Sequence, residues 1–111
     1  MHDDPPLMTD PVHTSHTIAV TGRLDVTTVP LLRTRIRSAI DRAGPRIDLD
    51  LDLSGVTYCN ALGLGALVAA HRRARQDGGG LRVIAPSSAV TAALANSGLD
   101  RILTVRPHRR P

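Results

Sequence analysis

The chain contains no phenylalanine and no tryptophan, and Tyr58 is its only aromatic residue. A core must therefore be assembled from Leu, Ile, Val and Ala, and no aromatic platform exists on which nucleic-acid bases could stack. Lysine is missing too. All fourteen basic residues are arginine, a skew that reads as genome composition and says little about function. The single cysteine, Cys59, excludes an internal disulfide and fits a reducing compartment. No apolar run approaches the roughly 20 residues that a bilayer crossing needs. The opening "MHDDPPLMTDP" has acids and prolines where a signal peptide has basic residues and an apolar stretch. The expected location is the cytoplasm, with no membrane partner.

What is present suffices for one domain: 111 residues, 41% of them hydrophobic, can enclose a single modest core. The formal net charge of +4 raises the question of nucleic acid. The arginines are scattered, however: Arg33, Arg35, Arg37 and Arg42 in one helical segment, Arg72, Arg73 and Arg75 in another, Arg109 and Arg110 at the end. Solvated helix faces account for them, and nucleic acid is not the expected partner. Residues 1–15 read as a flexible arm or edge strand, 16–105 as the domain and 106–111 as a basic tail.

Periodicity gives an alternating series of strands and helices. In "HTIAVTG" (16–22), Ile18 and Val20 share one face, and Gly22 ends the strand. Thr27 or Thr28 then caps a helix with Pro30 in its first turn, whose stripe is Leu32, Ile36, Ala39, Ile40 and Ala43. Gly44 and Pro45 stop it. "RIDLDLDLSGV" is the strongest strand signal, with Ile47, Leu49, Leu51 and Leu53 on a buried face and Asp48, Asp50 and Asp52 on a wetter one. A second helix over 62–76 turns Leu64, Leu67, Val68 and His71 inward. Residues 81–85 form a strand, and Ser87 or Ser88 caps a helix carrying Val90, Ala93 and Leu94. Gly98 closes that helix in the left-handed conformation with Leu99 beside it, and "RILTV" is a last short strand. Strands alternating with helices through short loops mean an α/β layer fold.

At the centre, "VTYCNALGLGAL" (56–67) passes from strand to helix. Junctions of this kind place phosphates or reactive groups against the free N–H groups of a helix start. This one offers Cys59, Asn60, Ala61 and Leu62, with no hydroxyl among them. Gly63 and Gly65 are expected to let another backbone approach closely.

The order of "TGRLD", "LDLSGVTYCNALGLGAL" and "IAPSSAVTAALANSGLDRIL" resembles the STAS domain family of anti-sigma-factor antagonists, over residues 16 to 105. The resemblance implies an α/β fold with a mixed β-sheet of four or five strands and three or four helices mainly on one face. It also implies a regulatory role without catalysis or cofactor. In that family the junction reads Asp-Ser-Ser-Gly-Leu, and an anti-sigma factor of ATPase/kinase fold phosphorylates the first serine. Aligned without gaps, Asn60 takes the place of the aspartate, Ala61 that of the acceptor serine and Leu62 that of the second serine. Gly63 and Leu64 match, and Asp25 matches the aspartate of the Gly-x-Leu-Asp loop. Ala61 has no oxygen to accept a phosphoryl group, which leaves Ser54 or Thr57 as conceivable acceptors. The implied partner surface is Arg23, Asp25, Thr27, Asn60, Ala61, Leu62 and Gly63. Its partner would be an anti-sigma factor bound without a phospho-switch. The alternatives are a degenerate scaffold that engages another regulator or forms a homodimer, and a small basic nucleic-acid-binding module.

Other residues have simpler readings. Cys59 sits where a helix start lowers a thiol's pKa, but the pattern "VTYC" reads as a small buried hydrophobe. His13 and His16 are spaced for a metal but lack further ligands. His71 reads as a satisfied core residue. Asp48, Asp50 and Asp52 stand about 6.5–7 Å apart along a strand, too far to chelate one ion. "GLGAL" lacks the third glycine and the acidic residue of a dinucleotide fingerprint. Leu62 either folds onto the sheet or stands out beside Ala61 as part of an apolar patch.

Overall fold

The computed structural model describes residues 14–44 and 46–107. The expected arm through residue 13, with His13, and the tail residues 108–111 lie outside the described residues. The elements are β1 (Thr14–Leu24), α1 (Val29–Ala43), β2 (Ile47–Cys59), α2 (Ala61–Gln76), β3 (Gly80–Ile84), α3 (Ser88–Ser97), a 3-10 turn (Leu99–Arg101) and β4 (Thr104–Arg106). The strands lie in the order β1-β2-β3-β4, and every neighbouring pair is parallel. The antiparallel member that a mixed sheet requires is not among the described residues. α1 packs on β1, α2 on β2 and β3, and α3 on β2, while α2 touches both other helices. The three helices therefore share one face of the sheet.

The aliphatic stripes sit where periodicity puts them. Leu32, Ile36, Ala39 and Ile40 of α1 are buried against the sheet, as are Ile47, Leu49, Leu51 and Leu53 of β2. Each fully buried leucine or isoleucine contributes about 1.5–3 kcal/mol relative to exposure. In α2 the inward residues include Leu64 and Leu67, but Val68 is only half-buried, and Ala66, Ala70 and Ala74 complete the inner face. Ser87, not Ser88, caps α3, its hydroxyl accepting from the Val90 N–H at 3.3 Å. Gly98 ends that helix at φ 77°, and Leu99 packs on the core.

Several expectations are corrected. β1 continues past Gly22 to Leu24, because Leu24 still has a buried place on the β1 face that carries Ile18 and Val20. The last strand shifts to Thr104–Arg106, since Leu99–Arg101 first make a 3-10 turn. Neither Thr27 nor Thr28 caps α1 through its side chain: Thr28 holds the cap position, but its hydroxyl donates back to the Arg23 carbonyl at 2.7 Å. On the outer face of β2, Asp48 and Asp50 are half-buried and Asp52 is buried. Asp52 accepts from the N–H and hydroxyl of Ser54, and Asp50 takes a two-point contact from Arg82 at 2.8 and 3.0 Å. The polar partners on that face therefore come from β2 itself and from the neighbouring β3. His71 is buried as expected, yet among the described residues its Nδ1 has no hydrogen-bond partner.

The far half of β2 departs from simple alternation. Ala19 and Thr21 of β1 face Asp52 and Gly55, and Gly22 and Arg23 face Val56 and Tyr58, so β2 carries an extra residue at each step. Each bulge reverses which side chains face the core. Burial accordingly passes from Leu53 to Val56, Tyr58 turns outward, and Cys59 packs on the core.

Candidate protein-binding site

Two segments meet at the C-terminal end of β1 and β2. The first is the β1–α1 loop, built around Asp25. Its carboxylate is nearly enclosed: Oδ1 accepts from the N–H and hydroxyl of Thr27 at 3.0 and 2.7 Å, and Oδ2 accepts from Nε of Arg23 at 2.8 Å. Its backbone carbonyl accepts from the N–H groups of Thr28 and Val29, leading into α1. The Thr27 hydroxyl bond, followed by the Arg23 contact, holds the Asp25 carboxyl below the usual range, against the upward push of burial. Asp25 thus fixes the loop, and Val26 stands out at its tip, 64% exposed.

The second segment is the start of α2. Asn60 caps it, its side-chain oxygen accepting from the Gly63 N–H at 3.1 Å, while the Asn60 N–H donates to the Leu24 carbonyl at 3.3 Å. Gly63 is buried against the same residue: a Cβ there would stand 2.5 Å from the Leu24 oxygen. This close approach brings the helix start beside the loop. Gly65 differs from expectation, since it faces open space and no backbone comes near it.

Arg23, Asp25, Thr27, Asn60, Ala61, Leu62 and Gly63 are thus brought together, with Asp25 and Gly63 as internal supports and the others at or near the surface. Leu62 is 56% exposed, so it does not fold onto the sheet. Tyr58 belongs to the same surface and sequence reasoning missed it. It is 41% exposed, and the Arg23 guanidinium carbon lies 4.2 Å from its ring centroid. Alternation from Leu53 also turns residue 58 outward, since the two reversals cancel, but it gives no sign that Arg23 lies over the ring. Val26 was missed as well; its one signal is an aliphatic side chain inside a polar turn.

Other candidates fall outside this surface. Cys59 is half-buried, and burial pushes its thiol up, opposite to what a nucleophile at a helix start needs. Ser54 is exposed, and its hydroxyl is committed to Asp52 at 2.7 Å. His16 is exposed on β1, and among the described residues no group of three His, Cys, Asp or Glu could hold a metal ion. No described helix is long and apolar enough to cross a membrane.

A loop and a helix start fixed by their own hydrogen bonds thus present apolar and aromatic side chains at one end of a parallel sheet. A family model described as "Mlab, STAS domain" matches residues 8–105. The chain belongs to the STAS domain family. Among solved structures it is similar to an anti-sigma factor antagonist from Mycobacterium paratuberculosis, at 27% identity and a TM-score of 0.72, over 84% of this chain and 77% of that one. It is also similar in fold to the unphosphorylated anti-sigma factor antagonist SpoIIAA, at 22% identity and a TM-score of 0.67, over 82% and 78% of the two chains. A sulfate transporter family protein from Wolinella succinogenes shares the fold as well, at 19% identity and a TM-score of 0.68, over 85% and 77%. Membership of this STAS family, with similarity to anti-sigma factor antagonists, supports a regulatory role carried out by binding another protein.

Proposed function

We propose that this STAS domain is a cytoplasmic regulator that works by binding, not catalysis, and that its partner is an anti-sigma factor of ATPase/kinase fold. The contact surface is formed by Arg23, Thr27, Asn60, Ala61 and Leu62 around the supports Asp25 and Gly63. The observation that carries this reading is the exposed Leu62 at the start of α2, at the same end of the sheet as an Arg23 that contacts Asp25 and Tyr58. Aromatic and arginine side chains held in place before binding make efficient anchors, because little freedom is lost on contact. The phospho-switch is missing at residue 61. With alanine at the start of α2, binding is constitutive with respect to that position.

The test is co-purification of the tagged chain from its native host, with and without Ala61→Asp. The aspartate supplies part of a phosphate's charge next to Asp25, at a helix start that tolerates acids. Folding should be nearly unchanged, and partner binding should weaken by about 1–3 kcal/mol. An ATPase-fold protein retained by the wild type and lost by Ala61→Asp supports the reading. Self-association with no such partner, or salt-sensitive DNA or RNA binding, overturns it in favour of a scaffold or a nucleic-acid module.

A further inference from the structure

Between α1 and α2 runs an open groove of about 180 Å³, walled by these two helices alone. Leu32, Ile36 and Ile40 of α1, one turn apart, form its aliphatic floor. The α2 wall is built of Ala66, Ala69 and Ala70, so the helices leave a trough that a larger side chain would fill. Ala66, Ala69, Ala70 and Arg73 stand at i+4, i+7, i+8 and i+11 from the exposed Leu62, on one flank of α2. The groove therefore continues the surface that Leu62 opens, along about 16 Å of helix at 1.5 Å per residue.

Its rim is basic. Arg33, Arg37 and Arg73 line it and are exposed. Arg73 holds Asp77 at 3.2 Å, whereas Arg33 and Arg37 have no hydrogen-bond or ion-pair partner among the described residues. α1 carries four arginines against one acid, Asp41, and α2 carries three arginines and no acid. α3 is uncharged, so a second copy of the described chain offers no α-helix of matching charge. A bilayer fits no better. Opposite the buried stripe of α1 stand Thr34, Ser38 and Asp41, all polar and exposed, and the aliphatic floor is recessed below them. The groove is also smaller than pockets that enclose organic ligands, about 300–1,000 Å³.

We propose that, resting on the reading of Leu62 as a partner contact, an acidic amphipathic helix of the partner lies in this groove. Its apolar residues enter between α1 and α2, and its carboxylates face Arg33 and Arg37. Apolar side chains at i, i+3, i+4 and i+7 suit a trough between two helices. Glutamate or aspartate beside that face meets guanidinium groups, which bind carboxylates through two parallel hydrogen bonds.

Amide NMR titration of the full chain tests this with a peptide of about 18 residues, long enough to hold a helix, carrying leucine along one face and glutamate beside it. Its twin has lysine for every glutamate. At matched ionic strength the glutamate peptide should give saturable shifts at Arg33, Arg37, Ala66, Ala69 and Arg73, and the lysine twin none. Ala69→Leu fills the groove at an exposed site without altering charge, and Arg33→Gln combined with Arg37→Gln removes charge. Each should weaken binding at least about tenfold. Urea midpoints check that both variants fold, and either decides alone if the other does not. No saturable shift, equal binding of the twin, or binding unchanged in Ala69→Leu overturns the groove. Phosphatidylglycerol vesicles that displace the glutamate peptide, where phosphatidylcholine vesicles do not, overturn it in favour of a membrane surface. The peptide needs no ATPase-fold protein. If it binds while co-purification yields no such protein, the groove stands and the proposed partner falls. If that protein is retained equally by the wild type and Ala69→Leu, the partner stands and the groove falls.

Discussion

Replacing each of the two glycines at the start of α2 by alanine separates a packing requirement from a helix preference. Both glycines lie within the helix, where alanine is favoured by about 0.5–1 kcal/mol. At Gly65 a Cβ meets nothing within 4 Å, so Gly65→Ala should stabilise by that amount. At Gly63 the new Cβ would lie 2.5 Å from the Leu24 carbonyl oxygen and 2.8 Å from its Cγ. One partner is backbone, so relief requires the helix start to move away from β1, and overpacking of this kind costs about 1–3 kcal/mol. The helix gain is common to both variants and cancels in the comparison. Gly63→Ala should therefore be less stable than Gly65→Ala by that same 1–3 kcal/mol, or roughly 4–12 °C at about 4 °C per kcal/mol for a chain of this length. Urea unfolding provides the assay, with the midpoint read at unchanged slope. The displaced helix would also lengthen the Asn60 to Leu24 hydrogen bond, so partner affinity should fall in Gly63→Ala alone. Equal stability of the two variants would refute the claim that this contact seats the helix against the loop.

Asn60→Ala removes the cap of α2 and should cost about 0.5–2 kcal/mol in urea unfolding. Leu62→Ala should change stability by no more than about 0.5 kcal/mol, as expected of an exposed side chain, while partner titration shows a loss above about 1 kcal/mol. A fall in melting temperature with binding retained would instead make Leu62 a core residue. Asp25 contributes through a carboxyl whose folded-state pKa is lowered, so its stabilisation is complete above the ordinary carboxylate range and is lost as pH falls through the lowered value. Asp25→Asn should flatten that part of the stability curve, measured as urea midpoints from neutral to strongly acid pH.

The sequence by itself determined the α/β class, the buried stripes of α1 and β2, the stop at Gly98 and the STAS resemblance. These depend on local periodicity and turn chemistry, which a single pass along the chain carries. It also placed Asn60 at a helix start. Only the tertiary structure decided that Val56 is buried, because a bulge in β2 reverses the alternation there, and a bulge is defined by the neighbouring strand. Gly63 and Gly65 look equivalent in "GLGAL"; the Leu24 carbonyl, distant in sequence, makes the first a packing requirement and leaves the second exposed. Leu62 was open between core and surface for the same reason, since a residue at a helix start is buried or exposed by what packs across from it. His71 looked like an ordinary core residue on an apolar face. Whether a buried nitrogen finds a partner depends on the side chains that other elements bring to it.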